Sequence, residues 1–236
     1  MVEPGKQIEL GVIKLVDFKN DSLIPIPDPL KKTSGVVKEW RLNGAGTLVK
    51  TSNDDDKAIY TAPASIPAKN PVAVSAVLKT TGSGQFILVS NIYIGNEGLT
   101  FRIDNGPWQI CVDPDGINFD GYFNSITAAN LSTEGHDGVT IRWTGSRHIH
   151  KFLNWGLAWP SFLYGPDPNT TYMQILAPSG TPSPGGLYFH LGTDGLEYAV
   201  GTFLLTPAQK VVVVTGQVPL YSQHRIEGFF KVKWRQ

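Results

Sequence analysis

The chain has 236 residues, and its 20 Lys and Arg balance its 20 Asp and Glu, so the formal net charge is zero. This balance argues against nucleic-acid binding, because such binding depends on a basic surface. Hydrophobic residues make up 41% of the chain, which is enough for a folded core and excludes a disordered protein. The 25 glycines and 17 prolines predict many turns and few long helices.

Short β-branched and aromatic runs, bounded by turn residues, predict β-strands along the first part of the chain. These predicted strands are 8–18, 36–42, 58–61, 72–78 and 86–94. The segment 80–84 predicts a hairpin loop between the last two strands. The segment 25–29 is excluded as a central strand because its three prolines lack the N–H donor.

The sequence changes character at Gly95–Gly98, where we place a domain boundary that separates residues 1–95 from residues 96–236. Strands predicted after it are 99–103, 108–112, 138–144, 171–176, 186–191, 197–205, 211–215 and 225–234. In the last strand apolar residues alternate with charged ones, as in a strand with one buried face. No window supports a helix of three turns with caps at both ends. We therefore predict an all-β protein of two modules, the second a larger antiparallel β-sandwich.

Three pieces of the first module occur in a recognisable order. Segments 40–48, 58–64 and 70–76 read Trp-Arg-Leu-Asn-Gly-Ala-Gly-Thr-Leu, Ala-Ile-Tyr-Thr-Ala-Pro-Ala and Asn-Pro-Val-Ala-Val-Ser-Ala. In order and spacing, residues 33–94 resemble bacterial immunoglobulin-like repeats of surface and adhesive proteins. The resemblance implies an immunoglobulin-like sandwich over 1–95, with Trp40 and Tyr60 packed between its two sheets.

The second module is loosely similar to the C-terminal β-sandwich domains of uncharacterised Bacteroidetes cell-envelope proteins. The similarity rests on a closing Gly-x-Phe-x-Val strand, here residues 228–232. Neither resemblance transfers a functional residue to this chain, because the matching positions are structural.

No motif for nucleophilic catalysis is present. The chain lacks Gly-x-Ser-x-Gly, Ser146 beside His148 does not constitute a triad, and Cys111 has no adjacent histidine. Carboxylates that could pair for glycoside cleavage are scattered, and no pair is favoured over another. They are Asp104, Asp120, Glu134 and Glu197. We therefore assign no catalytic residue and expect a protein that is not an enzyme.

Two segments contain side chains that bind metals in other proteins. Asp113, Asp115 and Asp120 place oxygen atoms in a Gly-containing segment, which suits calcium. The order of an EF-hand is absent, however, and Asp-Pro-Asp-Gly is also an ordinary turn between strands, the interpretation we favour. Asp54–Asp56 is interpreted as a solvated hairpin tip.

Histidines supply the other candidate metal site. His148 and His150 would share one face of a strand, but a metal site needs a third ligand, and the neighbouring Arg147 and Lys151 oppose a cation. We predict that neither a metal nor another cofactor is needed.

Aromatic residues are concentrated between 152 and 164. They are Phe152, Trp155, Trp159, Phe162 and Tyr164. Gly156 and Pro160 interrupt the segment and predict irregular structure, and loops held on a rigid sandwich often carry binding sites. The aromatic side chains are interpreted either as a core plug or subunit interface, or as a platform for sugar rings. We predict that a contact surface lies around Trp155, Trp159 and Tyr164.

These observations favour a non-enzymatic bacterial protein of surface attachment, recognition or assembly, which binds a protein partner or a glycan. One alternative is a structural component of a virion or contractile injection particle. A second is a carbohydrate-binding module or carbohydrate-active enzyme, and a homo-oligomer is also open. No apolar run approaches the 18 residues of a transmembrane helix. We expect a cell-surface or extracellular protein. Residues 1–5 do not resemble a signal peptide, so if Met1 is native we expect a particle component made in the cytoplasm instead.

Overall fold

The computed structural model describes residues 1–12, 36–52, 54–79, 85–119, 123–129, 138–145, 152–190 and 197–235. They form two compact units: an N-terminal unit of residues 2–94, and a barrel unit of residue 1 with residues 95–236. The division falls at Gly95, where the predicted boundary begins. Every regular element among the described residues is a β-strand, which confirms the all-β class. The described residues include no helix long and apolar enough to cross a membrane.

The N-terminal unit contains six strands within its described residues. They are β1 Gln7–Gly11, β2 Val37–Asn43, β3 Thr47–Thr51, β4 Asp54–Thr61, β5 Val72–Leu78 and β6 Ile87–Ile92. They pair antiparallel in two three-stranded sheets, of order β1-β4-β3 and β2-β5-β6. The β5–β6 pairing agrees with the hairpin predicted around 80–84, whose loop lies outside the described residues.

One apolar core holds the two sheets of the N-terminal unit together. Its buried residues are Val2, Tyr60, Ala62, Val72, Val74, Ile92 and Ile94. Tyr60 is fully buried on β4, and its hydroxyl donates a 2.8 Å hydrogen bond to the Ala45 carbonyl. Trp40, on β2 in the other sheet, is partly buried, and its indole N–H donates to the Asp55 carbonyl. Tyr60 and Trp40, which the resemblance assigned to the core, therefore lie on different sheets and pack against the same core.

The barrel unit contains twelve strands within its described residues. They are β7 Gly98–Ile103, β8 Gln109–Phe119, β9 Phe123–Ala129, β10 Gly138–Trp143, β11 Phe152–Asn154, β12 Ser161–Asp167, β13 Thr170–Met173, β14 Ile175–Leu176, β15 Thr181–Pro182, β16 Gly185–Phe189, β17 Tyr198–Val212 and β18 Leu220–Lys233. Eight of them form a closed ring of order β17-β13-β12-β10-β9-β8-β7-β18, which returns to β17 through the β17–β18 pairing. The second module is therefore a closed barrel and not the predicted sandwich, because the β17–β18 pairing closes its sheet on itself.

Large apolar side chains fill the inside of the barrel. On β10, Val139, Ile141 and Trp143 are buried while the residues between them are not, so successive side chains alternate between the barrel interior and its outer surface. Cys111 is also among the buried core residues. Gly228 on β18 faces Phe203 on β17, and a Cβ at this glycine would lie 2.5 Å from the phenyl ring. Only glycine leaves room for that ring.

Two acidic segments differ from their predicted turn conformation. Asp54–Asp56 begins strand β4, and buried Asp56 accepts a 2.7 Å hydrogen bond from the Val37 N–H, so it is not a solvated tip. Asp113 and Pro114 lie inside the single strand β8, where the pairing with β9 shifts register. The shift is a β-bulge, which accommodates a proline that a regular ladder would reject. Strand β17 likewise spans two predicted strands, and its register shift contains Pro207.

Candidate functional site

One surface of the barrel unit stands out by its lack of charge: the connected end of strands β17 and β18. We call residues 211–223 the hairpin end. It reads Val-Val-Val-Val-Thr-Gly-Gln-Val-Pro-Leu-Tyr-Ser-Gln and contains no charged residue. Strand β18 pairs with β7 only from Ile226 to Lys231, so its first residues extend past the end of β7. The opposite strand, β17, remains paired to β13 up to Val212.

Five large apolar side chains of the hairpin end are exposed. They are Val213, Val214, Val218, Leu220 and Tyr221, and Val218 reaches 80% exposure. Single exposed apolar residues are ordinary on protein surfaces, but contiguous apolar patches mark contact sites. Because both strands are held by the barrel, this patch lies on a rigid support.

A polar network lies at the base of the hairpin end. His224 Nδ1 lies 2.5 Å from Asp104 Oδ2, and His224 Nε2 lies 2.9 Å from the Ser222 hydroxyl. The other carboxylate oxygen of Asp104 accepts a 2.8 Å bond from the Arg225 N–H. Asp104 also donates its own N–H to the Arg225 carbonyl. The network thus ties the turn after β7 to strand β18.

The order carboxylate, imidazole and hydroxyl is also that of a nucleophilic triad. Ser222, however, lies within a strand that pairs regularly with β17, opposite Lys210. Acyl transfer also needs N–H donors aimed at the developing oxyanion, and nucleophilic serines are commonly presented on sharp turns for that purpose. We interpret the network as a structural clamp. Sequence analysis missed it because Asp104 is 120 residues from His224, and only the Ser222–His224 spacing hinted at a shared face.

The clamp predicts a pH dependence of stability. Desolvation acts to raise the pKa of Asp104, but hydrogen bonds from His224 and the Arg225 backbone outweigh it, so the pKa lies below its ordinary value. The ionised carboxylate therefore stabilises the fold above about pH 4, and this contribution is lost as the pH falls through the lowered pKa. Wild type and Asp104→Asn should differ in melting temperature at pH 6 and converge towards pH 2.5. Asp113→Asn, at an exposed carboxylate outside the network, is the control and should not show this convergence. A melting-temperature difference between wild type and Asp104→Asn that stays constant at all pH values would contradict the clamp.

The structure separates the three aromatic residues that were predicted to form a contact surface. Trp155 is buried, and its indole N–H donates a 2.7 Å hydrogen bond to the Leu204 carbonyl. Tyr164 is buried on β12, with its ring 4.7 Å from that of Phe101. Both side chains belong to the barrel core, so neither presents a surface to a partner. Trp159 is 38% exposed and stacks on Phe123, with ring centroids 5.7 Å apart.

A tight turn holds Trp159 at the surface. The Gly156 N–H donates to the Pro160 carbonyl, and a Cβ at Gly156 would lie 2.1 Å from the Trp159 carbonyl oxygen. The buried Gln174 side chain fixes both ends, because it contacts the Gly156 carbonyl and accepts the Phe162 N–H. The predicted irregular segment is thus confined to 155–160, between β11 and β12.

The candidate metal ligands do not converge in the described part of the chain. Asp115 forms an ion pair with Arg235 at 2.6 Å, and Asp113 is exposed in the β8 bulge. Asp120, His148 and His150 lie outside the described residues. Among the residues that are described, no group of three or more His, Cys, Asp or Glu side chains could hold a metal ion.

The chain matches no protein-family model, no curated protein and no solved structure.

Proposed function

We propose that this chain is a non-enzymatic recognition or assembly protein, and that the hairpin end is the surface that contacts its partner. The observation that carries the proposal is the uncharged stretch 211–223 with its five exposed apolar side chains. Interface cores are depleted in charge and enriched in tyrosine and other large apolar residues. An apolar patch carried by two strands of the barrel fits a protein partner, and a bacterial surface or particle assembly is the setting we propose.

The two units would divide this work. The N-terminal unit would act as an immunoglobulin-like spacer, in keeping with its two sheets around one core and with its resemblance to adhesive repeats. The barrel unit would supply the specific contact through the hairpin end. Since the barrel interior is filled by side chains, its contacts are expected on the outer surface rather than in a cavity.

Site-specific photo-cross-linking tests the proposed contact in cells that naturally produce the chain. The photoreactive residue p-benzoylphenylalanine is introduced in place of Tyr221, which is 55% exposed. Phe152, an aromatic residue of the same unit that is 53% exposed, is the matched control position. We expect a discrete adduct with one protein from position 221 and none from position 152. Equal adducts from both positions, or none from either, would contradict the proposal.

Trp159 favours a second function, the binding of a glycan. Its ring is partly exposed and is held parallel to Phe123, with an angle of 14° between the two planes. Exposed indole rings can stack on sugar rings by apolar contact. A glycan array probed with the labelled chain tests this function: saturable binding to a defined glycan would support it, and a blank array would remove it.

A further inference from the structure

Strand β6 differs from the other edge strands of the N-terminal unit. Each three-stranded sheet has two edges, and an unprotected edge can pair with another chain. Strand β1 contains Glu9, β2 contains Lys38, Glu39 and Arg41, and β3 contains Lys50 next to a register shift. Strand β6 reads Ile-Leu-Val-Ser-Asn-Ile and has no charge, no proline and no register shift against β5. The strand itself therefore carries none of the charges, prolines or bulges that commonly protect an edge strand.

The side chains along β6 are also exposed. Phe86, Ile87, Leu88 and Val89 are 68%, 47%, 50% and 65% exposed, respectively. Leu88 faces a groove between the two sheets that Leu10 and Trp40 also line. In the described part of the chain, β6 forms a ladder with β5 only.

The hydrogen-bond pattern shows which backbone groups face outward. The Leu78 N–H donates to the Phe86 carbonyl across the β5–β6 ladder, so even-numbered residues of β6 bond towards β5. The N–H and C=O groups of Ile87, Val89 and Asn91 then point away from β5. The next odd residue follows this rule, because the Tyr93 carbonyl accepts a hydrogen bond from the Val2 N–H.

We propose that β6 pairs antiparallel with β6 of a second copy of this chain. Three outward residues spaced by two are self-complementary about their centre: Val89 faces Val89 of the second copy, and Ile87 faces Asn91. The β2-β5-β6 sheet of one copy and the same sheet of the second copy then form one six-stranded sheet. With no charge on the strand, self-pairing meets no like-charge repulsion.

The available area is consistent with a dimer. The exposed fractions of the four apolar residues correspond to roughly 450 Å² on each copy. Pairing can therefore bury at most about 900 Å² of this surface in total, just below the ~1,000 Å² at which specific interfaces begin. A dimer of this size is expected to form in a concentration-dependent equilibrium.

The test is the mass of the full-length chain in solution by analytical ultracentrifugation up to about 100 µM. We expect the weight-average mass to rise with concentration towards twice 25.7 kDa. Val89→Lys places two like charges across the two-fold axis and should weaken the dimer at least tenfold. Val49→Lys on edge strand β3 is the matched control, since Val49 is 63% exposed, and it should leave the dimer intact.

Two further measurements keep the test decisive. Val89→Cys should form a disulfide-linked dimer on oxidation, because the Cα atoms of facing residues in a hydrogen-bonded pair lie about 5.5 Å apart, within the range of a disulfide. Val49→Cys, on a strand outside the proposed interface, should not. The amides of Ile87, Val89 and Asn91 should exchange more slowly in concentrated than in dilute solution. A chain that stays monomeric, or a dimer that Val89→Lys leaves unchanged, would overturn the proposal. Slow exchange of these amides at high dilution would do so too, since it would mean that the chain itself covers the edge.

Discussion

Replacement of Trp143 by alanine is expected to lower the free energy of unfolding by about 3–5 kcal/mol, the usual cost of truncating a large buried aromatic residue. Trp143 is 1% exposed and lies at the end of β10, inside the barrel. Its ring centroid is 4.7 Å from that of Phe189 and 5.7 Å from that of Trp234. Truncation would therefore leave a cavity bordered by rigid rings, which cannot collapse to fill it.

Trp143→Phe is the matched control for this prediction. Among the described residues, the indole N–H of Trp143 has no hydrogen-bond partner, so the phenylalanine variant loses no such bond within this part of the chain. It retains an aromatic ring against Phe189 and should cost less than half as much as alanine. Urea unfolding of the three proteins measures both values. An alanine variant within about 1 kcal/mol of wild type would contradict a packed barrel interior.

Trp155→Ala and Trp159→Ala should have opposite effects on stability and binding. Trp155 loses buried packing against Phe162 and leaves the Leu204 carbonyl without its indole donor, so we expect a loss of about 3–5 kcal/mol in stability. Trp159 loses mainly its stacking on Phe123, worth about 1 kcal/mol.

The binding readout separates the two tryptophans further. If Trp159 contacts a glycan, Trp159→Ala should weaken binding by about 2 kcal/mol or more while the melting temperature falls by only a few degrees. The folded fraction of Trp155→Ala should bind the glycan with the affinity of wild type. Thermal unfolding and binding to any glycan identified on the array are measured on both variants. Equal losses of stability would mean that Trp159 is a core residue and would remove it as a contact.

Local periodicity was sufficient to predict many of the strands, because it depends on near neighbours, but it missed others, among them β3, β9 and β12. The predicted strand 72–78 has the bounds of β5, Val72–Leu78, and the alternation near the C-terminus corresponds to the buried and exposed faces of β18. Barrel closure was not predictable in this way. It depends on which strands pair over long sequence distances, above all on β18 with β7, where Ile226 pairs with Ile103. Period-two patterns do not encode such a pairing.

The same limitation applies to the candidate site. Trp155 and Trp159 are four residues apart and chemically identical, yet only the tight Gly156–Pro160 turn and the neighbouring strands decide that one is buried and the other partly exposed. The β8 bulge also reversed the interpretation of Asp113 and Pro114, because the positive φ of Asp113, 50°, is typical of a turn but here occurs within a strand. The hairpin end was predicted only as a short strand, although the sequence itself shows that residues 211–223 contain no charged residue.

The most direct test of the proposed contact is to add Leu220→Asp to the chain that carries the photoreactive residue at position 221. Leu220 is 60% exposed, so a carboxylate there should leave the melting temperature nearly unchanged while placing a charge in the apolar patch. Recognition through the hairpin end predicts that the cross-linked adduct is lost from a fully folded protein. An adduct that persists at its original yield would contradict recognition through this surface.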